Sequence, residues 1–222
     1  MWRARQDVSP ERLAVYEGLL AEDERERAER FHFERDRHEY IAGRGMLRVL
    51  IGRYLAQPPE TLKFSYSKYD KPFLPDTGME FNLAHSGGLA LFAFSLDDPV
   101  GVDVEMEREV RDAWQIAARF FSPAERAILS SLPEEEMMPA FFRCWSRKEA
   151  FIKAVGEGLS YPLDAFDVSL APGDTPGLLR IHGSEEEARA WMLTPLELPP
   201  GYHGALVVKS RNKTLQPFNY VD

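Results

Sequence analysis

The residues best placed to do chemistry are acidic. In Gly101-Val102-Asp103-Val104-Glu105 a carboxylate recurs at every second position. On a strand, side chains two apart share a face, so Asp103 and Glu105 would stand together while Val102 and Val104 pack behind them. Adjacent carboxylates repel. A hard divalent cation with oxygen ligands relieves that repulsion, and magnesium held together with a phosphate is a common form. A solvated acidic pair on an edge strand is the competing explanation, because carboxylates are mostly surface residues. A second group lies in Trp145-Ser146-Arg147-Lys148-Glu149-Ala150-Phe151-Ile152-Lys153. Glu149 and Lys153 are four apart and would be neighbours on one helix face. An exposed pair of this kind contributes only ~0.3–0.5 kcal/mol. Phe141, Phe142, Trp145, Phe151 and Ile152 surround this one, however, and a charged pair in a largely buried helix needs a further reason.

His85 follows a short apolar stretch and precedes a glycine turn, in Phe81-Asn82-Leu83-Ala84-His85-Ser86-Gly87-Gly88. Such a turn admits close backbone approach to a ligand, and a histidine there could bind phosphate or move a proton. A hairpin histidine bonded to neighbouring backbone competes with that role. Basic groups cluster at Arg25, Arg27 and Arg30, and Lys71 follows Asp70 in a turn. Arginine forks suit phosphate oxygens, although the charge alternation from Glu22 to Glu29 also describes a solvated helix face. Cys144 has no adjacent base in sequence and reads as a packing residue.

These residues need elements to hold them. Trp2 to Val8 has the pattern of a strand, and Ser9-Pro10-Glu11 opens a helical stretch that runs to Arg30, with a capping serine before a first-turn proline. Asp36 to Tyr54 is predicted as a longer helix with Tyr40, Leu47, Ile51 and Tyr54 toward the core and Arg37, Arg44 and Arg48 on another stripe. Strands are predicted at 63–67, 80–84, 90–95 and 101–105, between turns rich in glycine and proline. A helical region follows from Asp112 to about Val155, broken at Pro123, Pro133 and Pro139. Short strands at 165–170, 179–182, 189–193 and 204–208 complete the chain. Helices, strands, helices, strands describe an α+β protein in two comparable halves, 1–105 and 106–222. No internal repeat is legible by eye.

The whole-chain numbers exclude more than they select. The 222 residues are 44% apolar, ordinary for a globular chain. A net charge of -9 argues against a general nucleic-acid binder. No apolar run approaches the ~18 residues of a membrane helix, and Met1 to Asp7 has no apolar signal core. With a single cysteine, the expectation is a cytoplasmic protein without membrane or nucleic-acid partners.

In combination, FNLAHSGG, VGVDVE, RFFSPAE and FFRCWSRKEAFIKAVGEGL, in that order, resemble the 4′-phosphopantetheinyl transferases, and the larger monomeric class more than the small trimeric synthases. The resemblance spans about Arg27 to Phe166. It implies two similar α+β halves related by a pseudo-twofold around a central coenzyme A cleft. It implies transfer of phosphopantetheine from coenzyme A to a serine of an apo carrier protein of the acyl, polyketide or peptidyl type, by a monomer. It implies that Asp103, Glu105 and Glu149 hold magnesium on the pyrophosphate, that Glu149 is the base for the serine, and that Lys153 assists departure of 3′,5′-ADP. Arg27, Lys71, Asn82, Ala84 and His85 are implied as coenzyme contacts beside Asp103, Glu149 and Lys153, with His85 also in the catalytic set. Ala84 stands where the family usually has serine and Asp70 where it has glycine. Aspartate tolerates positive φ better than most residues. Two other functions compete with the transferase: a non-catalytic coenzyme A or nucleotide binder of the same fold, and a magnesium-dependent phosphohydrolase. For the carrier, the segment 120–138 is expected to supply an apolar docking edge, with the Arg37, Arg44 and Arg48 stripe as the alternative patch.

Overall fold

The computed structural model describes residues 1–221, and one structural plan occurs in it twice. The first unit runs β1 (Trp2–Arg5), α1 (Pro10–Leu19), α2 (Glu22–Glu29), α3 (Glu34–Leu55), β2 (Ser65–Tyr66), β3 (Pro72–Phe73), β4 (Met79–Ser86) and β5 (Leu89–Leu96). The second runs β6 (Val100–Met106), α4 (Ala113–Phe120), α5 (Pro123–Ser131), α6 (Glu134–Val155), β7 (Phe166–Val168), β8 (Leu178–Ile181), a short α7 (Glu185–Ala188), β9 (Met192–Pro195) and β10 (Tyr202–Val208). Each unit builds an antiparallel sheet of the same order, β1-β5-β4 and β6-β10-β9, beside a separate two-stranded hairpin, β2–β3 or β7–β8. A last strand, β11 (Phe218–Asn219), returns to pair in parallel with β1. The α+β fold of two similar halves is therefore present. By strand pairing, the units divide between β5 and β6, ahead of position 105, because β6 pairs along its whole length with β10.

The layering follows from alternation along the strands. In β5, Ala90 and Phe92 pack with α3, while Leu89, Leu91 and Ala93 face the second sheet. In β10, Ala205 and Val207 pack with α6, while Leu206 and Val208 face the first sheet with Val100, Val102 and Val104 of β6. Two sheets thus meet over a shared apolar layer, and each has one long helix on its outer side. Both faces of β5 are buried, which is why Leu89–Phe94 reads as a continuous apolar run rather than an alternation.

Helix ends are set locally. Ser9 caps α1 by accepting from Arg12 N at 3.3 Å, with Pro10 at the first helical position. Ser122 and Glu125 form a capping box on α5. The glutamate in the first turn of α2 does the same for Ala21 N and goes further: Glu24 is 1% exposed and carries both Arg44 and Arg48 of α3. Its counterpart in the second unit, Glu125, accepts from Ser122 N, Val168 N and Lys148 of α6. Arg48 and Lys148 occupy the same turn of helices that are each 22 residues long.

Four expectations change. Arg44 and Arg48 are locked to Glu24 and Arg37 pairs with Glu17, so the arginine stripe is no free basic patch. Pro139 lies inside α6 without breaking it. It falls near the helix start, where the carbonyl it leaves free belongs to the exposed Glu135 and is open to water. Tyr54 is half exposed, with its hydroxyl accepting from Trp2 Nε1 at 2.8 Å. In the expected docking segment, Phe121 and Leu129 are buried and Ile128, Leu132, Met137 and Met138 pack against the second unit's core, which accounts for its apolar surplus. Among the described residues no helix is long and apolar enough to cross a membrane.

Candidate active site

The two acidic positions on β6 face α6. The strand can lie so close because of Gly101: a Cβ there would meet Ala150 O at 2.1 Å and Ala154 N at 2.3 Å. Asp103, two residues on, meets the same turn of that helix, where Lys153 Nζ donates to its Oδ1 at 2.6 Å. Asp103 is buried, and its second oxygen, Oδ2, is enclosed without a hydrogen-bond partner. Such an oxygen is costly unless something is bound there part of the time.

Charge at this point is concentrated and unbalanced. Burial pushes the Asp103 carboxyl up to about 7, with Lys153 opposing and Glu105 and Glu149 adding to the rise. Burial also raises Glu149, with Lys153 again opposing and Glu105 contributing. For Lys153, burial acts to lower the pKa, but Asp103, Glu149 and Glu105 together outweigh it and raise it. Three carboxylates therefore share one lysine. Glu105 is further out, its Oε2 accepting from Ser86 Oγ at 3.2 Å and lying 3.6 Å from Arg108. Among the described residues no three acidic, histidine or cysteine side chains are grouped so as to hold a metal ion, Asp103, Glu105 and Glu149 included. In chemistry the donors present, carboxylate oxygens with Asp103 Oδ2 buried and unpaired, are the kind a hard cation takes.

His85, at the end of β4, links this acidic centre to a groove in the first unit. Its Nδ1 is 3.9 Å from Glu39 Oε2. Burial lowers its pKa, with Glu39 opposing and Lys153 adding to the fall. The groove beside it encloses about 230 Å³, lined by Arg27, Tyr40, Arg44, Tyr66, Asn82 and His85 among others. It continues into a second hollow of about 550 Å³ that shares Arg27, Tyr40, Tyr66 and Asp70 and adds Asp23, Glu26, Arg30 and Phe31. The Arg27 guanidinium lies 5.8 Å from the Tyr40 ring centre. Asp70, where the resembled family has glycine, sits at φ 61°, the left-handed conformation that aspartate tolerates.

The structure thus brings together Asp103, Glu105, Glu149, Lys153 and His85, and places Arg27 along the adjoining groove. It places two sequence-predicted contacts, Lys71 and Ala84, elsewhere and engages a third, Asn82, in a structural bond. Lys71 Nζ turns away from the groove to Val100 O at 3.3 Å and Ala154 O at 3.4 Å, and burial lowers its pKa. Ala84 is buried in the layer between the sheets, so a side chain there faces packing rather than a ligand. Asn82 touches the groove, but its Oδ1 accepts from Val102 N at 2.9 Å. Glu39, Tyr66 and Ser86 were not singled out as site residues from sequence, and Tyr40, expected toward the core, also lines the groove. Nothing in the local spacing of Glu39, Tyr66 or Ser86 marks them, since each arrives through a fold contact.

Comparison with known proteins bears on this arrangement. Residues 99–207 match the model of the 4′-phosphopantetheinyl transferase superfamily, and residues 5–96 match the model of the 4′-phosphopantetheinyl transferase N-terminal region. The chain is 39% identical to the 4′-phosphopantetheinyl transferase HetI of Nostoc sp., over 90% of this chain and 82% of that one. The chain belongs to the 4′-phosphopantetheinyl transferase superfamily. It is also 32% identical to Sfp of Bacillus subtilis, over 90% of this chain and 86% of that one, and 35% identical to ffp of Bacillus subtilis, over 85% and 81%. The two family matches meet between residues 96 and 99, at the junction of β5 and β6. In this transferase the acidic centre lies on the second unit, and the groove beyond His85 lies on the first.

Proposed function

We propose that this transferase moves the 4′-phosphopantetheine arm of coenzyme A onto a serine of an apo carrier protein and releases 3′,5′-ADP. The observation that carries the reading is the unpartnered, buried Oδ2 of Asp103, whose other oxygen accepts from Lys153 and whose carboxyl is felt by Glu105 and Glu149. Asp103, Glu105 and Glu149 would hold magnesium. Bound there, the ion would neutralise and orient the pyrophosphate, which otherwise repels an oxygen nucleophile.

The chain's own residues supply the rest. Arg27, with Tyr40 and Tyr66, binds the phosphorylated nucleoside end of coenzyme A in the groove, and His85 lies against the pyrophosphate. The serine hydroxyl attacks the phosphorus that carries the pantetheine arm. Its proton passes to Glu149, whose basicity burial raises. The bond from that phosphorus to the ADP oxygen breaks. Lys153, kept charged by its three acidic neighbours, meets the negative charge that develops on the departing ADP. Asp103 holds Lys153 in place for that step.

The reading makes the protein a cytoplasmic monomer acting on acyl, polyketide or peptidyl carriers; the single, buried Cys144 supports a reducing compartment. The test is incubation with coenzyme A, magnesium and a panel of apo carriers, read by intact-protein mass spectrometry. One added phosphopantetheine on a serine supports the proposal. Release of free phosphopantetheine without any carrier would identify a hydrolase instead. Binding of coenzyme A with neither product would identify a non-catalytic binder.

A further inference from the structure

The two sheets share a seam with no backbone ladder. β4 is the edge of the first sheet and β6 the edge of the second, yet no main-chain hydrogen bonds pair them. Two side chains of β4 do so instead. Asn82 Oδ1 accepts from Val102 N at 2.9 Å, and Ser86 Oγ accepts from Met106 N at 3.0 Å. Both rungs span the same twenty residues of sequence, so the strands run parallel and in one register. Ala84, between the rungs, is small and buried where the sheets meet. At the outer end, Tyr202 Oη donates to Gly87 O at 2.7 Å and extends the tie to β10.

What the seam aligns is the active site. β4 carries His85, between the two rungs and one residue from Ser86. β6 carries Asp103 and Glu105, also between the positions that receive the rungs. Ser86 acts twice: its hydroxyl accepts from Met106 N and donates to Glu105 Oε2 at 3.2 Å. A single donor proton aimed at a carboxylate fixes which oxygen is engaged and which remains free. Partners of this kind behind a ligating carboxylate typically change metal affinity by roughly 10–100-fold when removed.

We propose that Asn82 and Ser86 are positioning residues: they set the register of the acidic strand against His85, and Ser86 also orients Glu105 toward the cation. The idea rests on the transferase reading for the cation itself, so the test reads the cation without a carrier. Free Mn2+ is followed by electron paramagnetic resonance during titration into the protein with saturating coenzyme A. Binding of 3′,5′-ADP without metal, and thermal melting, are measured alongside. Ser86→Ala is expected to weaken Mn2+ roughly 10-fold while 3′,5′-ADP affinity stays within about twofold. Ser86→Thr, which keeps the hydroxyl, restores most of the loss. Asn82→Asp, which keeps an acceptor for Val102 N, retains Mn2+ affinity better than Asn82→Leu. Unchanged Mn2+ affinity in Ser86→Ala overturns the proposal, as does an equal loss of 3′,5′-ADP binding or a failure of threonine to restore. If the wild type binds Mn2+ no better with coenzyme A than without it, the cation reading fails, independently of the seam.

Discussion

Gly101→Ala changes one methyl group and tests how the active site is assembled. The added Cβ would lie 2.1 Å from Ala150 O, 2.3 Å from Ala154 N and 2.9 Å from Ala154 Cα. Ordinary contact begins near 3.4 Å, so β6 and α6 must part by about 1 Å. The obstructing atoms are helix backbone, and no side-chain rotation relieves them. Overpacking of this kind costs roughly 1–3 kcal/mol. In a domain of this size that lowers the melting temperature by on the order of 5 °C. The functional loss is larger than the stability loss. The Lys153–Asp103 contact is 2.6 Å, and a 1 Å separation takes it beyond hydrogen-bonding range. Glu149 moves with the same helix. Misplacement of reacting groups by about 1 Å costs on the order of 100-fold in rate. The assay is carrier modification at saturating coenzyme A, with 3′,5′-ADP binding measured separately because the groove at Arg27 is built by the first unit. The expected pattern is a modest stability loss, about a 100-fold lower rate and nearly unchanged 3′,5′-ADP affinity. Gly18→Ala on α1 is the control, since a Cβ there meets nothing within 4 Å. Wild-type rate and melting in Gly101→Ala would refute the argument that close approach of α6 to β6 creates the site.

Other outcomes follow from the same contacts. Asp103 holds its proton in the fold up to about pH 7, whereas the unfolded chain releases it near 3.8. The fold therefore binds more protons between those values, and in a chelator this residue's contribution to stability falls as pH rises through that window, then levels off. Asp103→Asn should flatten that part of the melting-temperature profile, and an unchanged slope would count against the raised pKa. Glu125→Ala strands the fully buried Lys148, and Glu24→Ala strands Arg48; each is expected to cost roughly 3–5 kcal/mol in urea unfolding, and a loss below 1 kcal/mol in either would contradict the clamp. Lys71→Met should lower stability while leaving 3′,5′-ADP affinity within about twofold, because its ammonium lies on carbonyls of β6 and α6; a tenfold loss of affinity would return Lys71 to the coenzyme. Arg27→Ala should narrow the gap in binding between coenzyme A and dephospho-coenzyme A, read by calorimetry, and an unaltered gap would remove Arg27 from the 3′-phosphate.

Some of this protein is decided by neighbours in sequence. The alternation Val102-Asp103-Val104-Glu105 puts both carboxylates on one strand face whatever lies opposite, because the strand period is two. Ser9-Pro10 and Ser122-Pro123-Glu125 start helices through bonds to residues three positions away. Asp70 takes its left-handed conformation in a local turn closed by Ser67, which accepts from Asp70 N and Lys71 N. Glu149 and Lys153 share a helix face through the 3.6-residue period, so the motif residues of the acidic centre were legible together.

Tertiary contacts decided the rest. The arginine stripe of α3 looks like a solvated or ligand-facing surface until Glu24 arrives from α2 to bury Arg44 and Arg48. Lys71 reads as a phosphate contact until the packing of α6 on β6 offers it two carbonyls. The repeated plan of the two units is carried by strand order and by equivalent buried clamps, Glu24 with Arg48 and Glu125 with Lys148, in which different cations fill one role. Sequence comparison by eye misses such equivalence because packing conserves shape and charge balance rather than identity. The β4–β6 seam is the plainest case. Whether an asparagine and a serine four residues apart bind a ligand or a neighbouring strand depends on where that strand lies, and only the packing of the two sheets places Val102 N and Met106 N in front of them.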